Sequence, residues 1–184
     1  MLFYRMRGAL ALLMVSLVST IACEESTGLE PMTHDGHASM AAARVGVGQL
    51  DDAVARDVRQ MTARFSSVTQ AAAEGYAVAS ACVAAPGLGG MGVHWLAQGL
   101  VDPVFDPAQP EAVLYEPQKN GSMEFVAVEY IVVDVGQPAP TFNGQPFNVG
   151  GTPLPIPHWS LHVWLFRENP NGVFTPFNPA VSCL

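Results

Sequence analysis

Two histidines and one glutamate are the side chains in this sequence most able to do chemistry. His94 follows a glycine-rich stretch, and Glu129 and His162 each lie in a run with the two-residue alternation of a β-strand. A carboxylate among apolar neighbours is costly unless it is paired, hydrogen-bonded or bound to a metal. Two imidazoles and one carboxylate can bind Zn, Cu, Fe or Mn as divalent ions. We therefore predict a metal site at His94, Glu129 and His162.

Further residues are expected around that site. His158 is a possible extra ligand, although a strand places it about 13 Å from His162, too far to share one ion unless the strand's entrance curls over the site. Trp95, Trp164 and Phe166 are predicted to wall a ligand pocket. The glycines of "GGMG" would let the backbone approach closely and aim the following histidine inward.

Interpretations without a metal stay open. Glu129 could face a solvated groove or pair with Arg167, and His94 could pack beside Trp95 in a flexible loop. The pocket could then take an apolar or planar ligand, or the protein could have a structural role in the envelope. A third option is an enzyme that uses the metal for hydrolysis or oxygen chemistry. The sequence contains no HExxH, CxxC or GxSxG motif, so the catalytic residues of such an enzyme stay unassigned.

One helix and several antiparallel strands are predicted to position these residues. Apolar side chains recur every three or four residues from Leu50 to Tyr76, as on one face of a helix, and Ser66–Ser67 marks a kink or a break. Strands are predicted at residues 113–117, 123–134 and 159–166, with an edge piece at 173–177. The expected fold class is α+β, a long N-terminal helix, kinked or straight, packed on an antiparallel sheet of about four or five strands.

The N-terminal residues predict export. Arg5 and Arg7 precede "ALALLMVSLVSTIA", an apolar run that is too short for a typical spanning helix and is typical of a signal peptide. "STIAC" resembles a bacterial lipobox, with Thr20 where leucine is usual. Lipidation of Cys23 would hold the protein on a membrane of the cell envelope, in the periplasm or on the outer face. Plain secretion and an uncleaved N-terminal anchor are the alternatives.

The predicted organisation is a signal peptide at 1–22, a flexible linker at 23–48 and a single α+β domain at 49–184. Without residues 1–22 the chain keeps 6 basic and 16 acidic residues, a net charge of about −10, which predicts no nucleic-acid partner. The linker carries thioether and imidazole groups that suit copper: Met32, His34, Asp35, His37 and Met40.

The three cysteines indicate whether the protein works in an oxidising or a reducing cellular compartment. If Cys23 is lipidated, Cys82 and Cys183 remain as an even pair in an oxidising compartment, where a disulfide is the simplest outcome. A thiolate metal site would need both cysteines reduced. Cys82 could act as a nucleophile beside His94 only if it were free.

Several motifs in residues 60–184 occur in a recognisable combination. "GGMGVHW", "VEY" and "LHVWLFRENPNGVFTPFNPAVSC" resemble a family of small exported bacterial proteins and lipoproteins. The resemblance implies that the two cysteines, Cys82 and Cys183, belong together with His94, Glu129 and His162 as one set. It names no ligand and no reaction.

Overall fold

The computed structural model describes residues 48–184. Four predictions fall on residues 1–48, of which only residue 48 is described, and stay predictions: the signal peptide at 1–22, the lipidation of Cys23, the flexible linker at 23–48, and copper capture by Met32, His34, Asp35, His37 and Met40. Among residues 48–184, no helix has the length and hydropathy needed to cross a bilayer.

The helical region is short and interrupted. Its parts are α1 (Asp52–Thr62), a 3₁₀ helix (Ala63–Ser66), α2 (Val68–Ala73) and a second 3₁₀ helix (Gln98–Leu100). Asp51 begins α1, because its carboxylate accepts the backbone N–H of Ala53 at 2.8 Å. Ser67 is extended and its hydroxyl accepts the N–H of Gln70 at 3.3 Å, so a new helix begins where a continuous one would pass through.

Antiparallel strands make up most of the described residues. The nine strands are β1 (Ala77–Val78), β2 (Val83–Ala85), β3 (Gly89–Leu96), β4 (Ala112–Pro117), β5 (Met123–Val133), β6 (Thr141–Phe142), β7 (Gln145–Pro146), β8 (Asn148–Val149) and β9 (His158–Val163). Seven of them form one sheet in the order β1-β3-β4-β5-β9-β8, with β2 also paired to β3. β6 and β7 form a separate two-stranded sheet.

The predicted fold class is therefore wrong. The described residues form a mainly antiparallel sheet of seven strands with short helices, not a long helix on four or five strands. The apolar spacing between Leu50 and Tyr76 is the same for one long helix and for two helices in succession. The chain breaks at Ser67, where the sequence allowed either a kink or a break. Strands of two or three residues are too short to show a period, and the glycines of β3 are typical of a loop.

Both faces of the sheet are covered, and they differ in size. One face holds the main core cluster, where strand residues pack against the helices: Val58, Phe65, Val113, Tyr115, Phe125, Val128, Tyr130, Leu161 and Val163 are among its members. The opposite face holds two small apolar clusters, one around Leu114 and Trp164 and the other around Leu96 and Ile131. This opposite face carries the polar residues considered below, and we call it the site face.

An irregularity in β5 changes the predicted alternation. The pairing of β4 with β5 shifts register between Leu114 and Tyr115, and Val126 is the residue without a partner. Because of such a bulge, the alternation of side chains between the two faces changes phase from one side of Val126 to the other. Phe125 consequently packs in the main core cluster, whereas Ala127 packs on the site face, although strict alternation would place the two together.

Cys82 and Cys183 form a disulfide, as predicted, with their Cα atoms 5.6 Å apart and a separation of 101 in residue number. The bond joins the segment before β2 to the C-terminus. It is consistent with an oxidising compartment.

The glycines at the start of β3 lie directly against the C-terminal segment. Gly90 and Asn178 exchange two backbone hydrogen bonds of 3.1 and 2.9 Å. A Cβ on Gly89 would overlap the backbone at Asn178 and Pro179, and this glycine has φ +93. Close backbone approach therefore explains the glycines of this strand, as the sequence predicted for "GGMG".

Gly89→Ala is expected to lower the free energy of unfolding by roughly 3 kcal/mol, because it adds overpacking to backbone strain. The matched control is Gly87→Ala, where φ is +76 but an added Cβ meets nothing within 4 Å. That variant should lose only the strain, roughly 1–2 kcal/mol. Urea unfolding followed by tryptophan fluorescence measures both. Equal losses in the two variants would show that the C-terminal segment does not require this glycine.

Candidate metal centre

Three strands of the sheet bring His94, Glu129 and His162 together on the site face. Glu129 on β5 pairs directly with His162 on β9. His94 lies on β3, and β4 runs between it and β5, with Ala112 placed opposite Glu129. Because Ala112 carries only a methyl group, the histidine ring can reach across β4 to the carboxylate.

The distances within this group exceed those of hydrogen bonds. His94 Nε2 lies 3.5 Å from Glu129 Oε2, and His162 Nδ1 lies 3.7 Å from Glu129 Oε1. One ligand atom from each of the three residues lies within 4.8 Å of the others. A nitrogen–oxygen hydrogen bond is about 2.7–3.2 Å long. Two ligands of a tetrahedral ion, each about 2.1 Å from it, are about 3.4 Å apart, so the three ligand atoms would share one ion after moving together by roughly 1 Å.

The group is buried, and several of its polar atoms have no hydrogen-bond partner. His94 and Glu129 are 0% exposed and His162 is 3% exposed. The atoms without a hydrogen-bond partner include His94 Nε2, both carboxylate oxygens of Glu129, and His162 Nε2. A buried polar atom left unpaired costs about 1–3 kcal/mol, and a charged one costs more. Among residues 48–184, no other group of three His, Cys, Asp or Glu side chains converges in this way.

Burial sets the protonation of the three groups. It lowers the pKa of His94 to about 4 and that of His162 to about 3, so both imidazoles are neutral at pH 7 and can donate a lone pair. Burial also raises the pKa of Glu129 to about 8, and the nearby side chain of Ser160 lowers that pKa to a smaller extent. Below about pH 8, an ion would have to displace a proton from this carboxyl group in order to bind.

Ser80 orients the ring of His94. Its hydroxyl oxygen lies 3.0 Å from His94 Nδ1 and also accepts the backbone N–H of His94 at 3.1 Å. If Nδ1 carries the proton and donates it to Ser80, the Nε2 lone pair is free to face Glu129, as is typical of metal-binding histidines. The sequence analysis missed Ser80, because nothing in its neighbourhood distinguishes it from other serines.

His158 lies away from the centre. Its Nδ1 is 2.7 Å from the carbonyl oxygen of Ile156, and its ring packs against Gly150, where a Cβ would overlap it. The converging group does not include it, and the structure therefore gives no support to His158 as a ligand. The physical reason is that His158 and His162 are four residues apart in the same strand, which places them about 13 Å from each other.

The three aromatic residues predicted to wall a pocket are divided between the two faces. Trp164 lies beside the centre, where its ring stacks on the ring of His162 with 6.2 Å between the two ring centroids. Trp95 contacts Tyr115, and Phe166 contacts Phe125, both against the main core cluster. The prediction is wrong for these two, because Trp95 follows His94 in a strand and must face the other way, and Phe166 lies beyond the end of β9.

Arg167, the alternative partner predicted for Glu129, pairs with other carboxylates. Arg167 contacts Glu116 at 2.9 Å and Glu124 at 2.8 Å, at the other end of β5 from the centre. A salt bridge with Arg167 therefore does not compensate Glu129. A cavity of about 260 Å³ lies beside Glu129 and His162 and is lined in part by residues 148–152.

A second buried carboxyl group lies at the start of β4 and provides a control for the first. Glu111 is 2% exposed, and its Oε2 accepts the backbone N–H of Ile131 at 2.8 Å. Burial raises its pKa to about 8. Because the folded-state pKa lies above the ordinary value of 4.5, this group makes the fold less stable as pH rises from about 4.5 to about 8.

Glu111→Gln should remove that dependence while its amide oxygen still accepts the bond from Ile131. We expect the variant to match the wild type at pH 4 and to exceed its free energy of unfolding by roughly 2 kcal/mol at pH 9. Urea titrations across this range, with a chelator present, provide the measurement. A difference that stays constant with pH would contradict the expected titration of Glu111.

Comparison of the chain with protein-family models, with curated proteins and with solved structures found no match. The family resemblance of the motifs stays a prediction, and function is inferred below from the centre itself.

Proposed function

We propose that this is an exported, lipid-anchored protein that binds one divalent metal ion through His94, Glu129 and His162. The observation that carries the proposal is the convergence of two imidazoles and one carboxyl group in a buried position, where His94 Nε2 and both oxygens of Glu129 have no hydrogen-bond partner. An ion would satisfy all three groups at once, whereas removing it leaves a carboxyl in an apolar site.

The donor set favours zinc. Two nitrogen atoms and one oxygen atom suit Zn, Cu, Fe and Mn, and the thiols of Cys82 and Cys183 are tied in the disulfide. Two imidazoles and one carboxylate are the ligand set of one class of catalytic zinc sites. Three protein ligands leave a fourth position open, as in zinc sites that bind water or substrate.

The test is the metal content of the mature full-length chain after export in a bacterial host, purified without chelators. We expect about one equivalent of metal, mainly zinc, and a rise in melting temperature when zinc is added back to chelated protein. Absence of bound metal, together with no thermal shift from Zn, Cu, Fe or Mn, would contradict the proposal.

Lipid anchoring rests on the sequence around Cys23. We expect labelled palmitate to enter the protein during growth and the protein to sediment with membranes. Cys23→Ser should abolish the label and release the protein into the soluble fraction, since a chain without its lipid loses its membrane attachment. Membrane association that persists in the variant would argue for an uncleaved N-terminal anchor instead.

A further inference from the structure

The cavity of about 260 Å³ adjoins the proposed ion on one side only. Glu129 and His162 line it, but His94 does not, so His94 closes the back of the centre. The remaining wall combines apolar and polar residues: Met91, Ser160, Pro176, Phe177 and the loop at 148–152. The open coordination position of the ion therefore faces a cavity and not the packed sheet.

Charge limits what this cavity can hold. Among the described residues that line it, Glu129 is the only acidic residue, and none is lysine or arginine. A divalent ion, one carboxylate and two neutral imidazoles leave a net charge of one positive unit. A ligand with one negative charge neutralises that unit, whereas a dianion would bring an uncompensated charge into a buried site.

Size and polarity narrow the class further. A water molecule occupies about 30 Å³ in the liquid, so the cavity has room for a molecule of roughly ten non-hydrogen atoms. The hydroxyl of Ser160 lies next to His162 along the site face, and Ser160 is paired with Asn148 of the edge strand β8. Met91, Pro176 and Phe177 offer apolar surface for the rest of the ligand.

We propose that the cavity binds a small organic monoanion, such as a short-chain carboxylate, whose charged end occupies the open position of the ion and whose apolar part contacts Met91 and Phe177. This inference rests on the proposed metal centre.

Propionate and the cobalt-loaded full-length protein provide the test, because Co²⁺ in a tetrahedral site has a visible spectrum that changes with its fourth ligand. We expect propionate to change the spectrum in a saturable manner with a dissociation constant of about 10 mM or less. Sulfate at matched ionic strength should leave the spectrum unchanged.

One variant separates the cavity from the ion. Gly151→Leu adds a large side chain to the loop that lines the cavity, at a position where an added Cβ meets nothing within 4 Å. It should weaken propionate binding about tenfold, while Co²⁺ affinity stays within about threefold of the wild type. The matched control is Gly99→Leu, which has the same free space but lies beside Glu111 in another cavity.

The outcomes are distinct. If Co²⁺ does not bind, the metal centre itself is wrong. If Co²⁺ binds but propionate leaves the spectrum unchanged, or sulfate acts as strongly as propionate, only the monoanion site is overturned. Equal effects of Gly151→Leu and Gly99→Leu on propionate binding would also overturn it, since the ligand would then not occupy this cavity.

Discussion

Glu129→Gln is expected to weaken zinc binding by a thousandfold or more. Loss of an outer partner that only orients a ligand costs about 10–100-fold in affinity, so loss of the single charged ligand must cost more. The substitution keeps the size of the side chain, and the carboxylate is fully buried, so little else changes around it. Competition titration against a chromophoric chelator at pH 7.5 measures the affinity.

The matched control for this prediction is Glu111→Gln. Both glutamates are buried and both have a pKa raised to about 8, but only Glu129 faces the two histidines. The control should bind zinc within about threefold of the wild type. In the presence of a chelator, Glu129→Gln should be as stable as the wild type or more stable, because it removes an uncompensated buried acid. Similar zinc affinities for the two variants would mean that Glu129 is not a ligand.

Replacing both cysteines of the disulfide by alanine is expected to lower the free energy of unfolding by roughly 3–5 kcal/mol. Cys82 and Cys183 close a loop spanning 101 positions, and the loss of chain entropy in the unfolded state for a loop of about 100 residues corresponds to about 4.7 kcal/mol. Urea unfolding of the double variant, compared with the oxidised wild type, measures the loss.

The same variant should also bind zinc more weakly, by about tenfold. Ser80 lies two residues before Cys82, and its hydroxyl contacts His94, so freeing this segment loosens the partner that orients a ligand. The wild type in excess reductant is the control and should show the same two losses. A double variant within about 1 kcal/mol of the wild type would contradict the assigned role of the disulfide in stability.

The site was more predictable from the sequence than the fold, and particular residues show why. Glu129 and His162 lie in long strands whose alternation is visible, so their placement among apolar residues could be read directly. His94 was harder, because three glycines at the start of β3 are typical of a loop, and their need for space arises from residues distant in sequence: the C-terminal segment at Gly89 and Gly90, and Tyr115 at Gly92. Contacts distant in sequence carry no local pattern.

Other features were not predictable for related reasons. The bulge at Val126 moves Phe125 to the opposite face, and it depends on how β4 and β5 pair. The sequence indicated a kink or a break at Ser66–Ser67 but could not decide between them, because the apolar spacing is the same in both cases; the capping hydrogen bond of Ser67 makes it a break. Ser80 contacts His94 across the sheet edge, which no spacing within the chain indicates.

The most direct test of the metal centre is anomalous X-ray diffraction from crystals of the zinc-loaded protein at the zinc absorption edge. The proposal predicts one strong peak on the site face, about 2.0–2.2 Å from His94 Nε2, from a carboxylate oxygen of Glu129 and from His162 Nδ1. A peak bound elsewhere, or no peak between these three side chains at full zinc occupancy in solution, would contradict it.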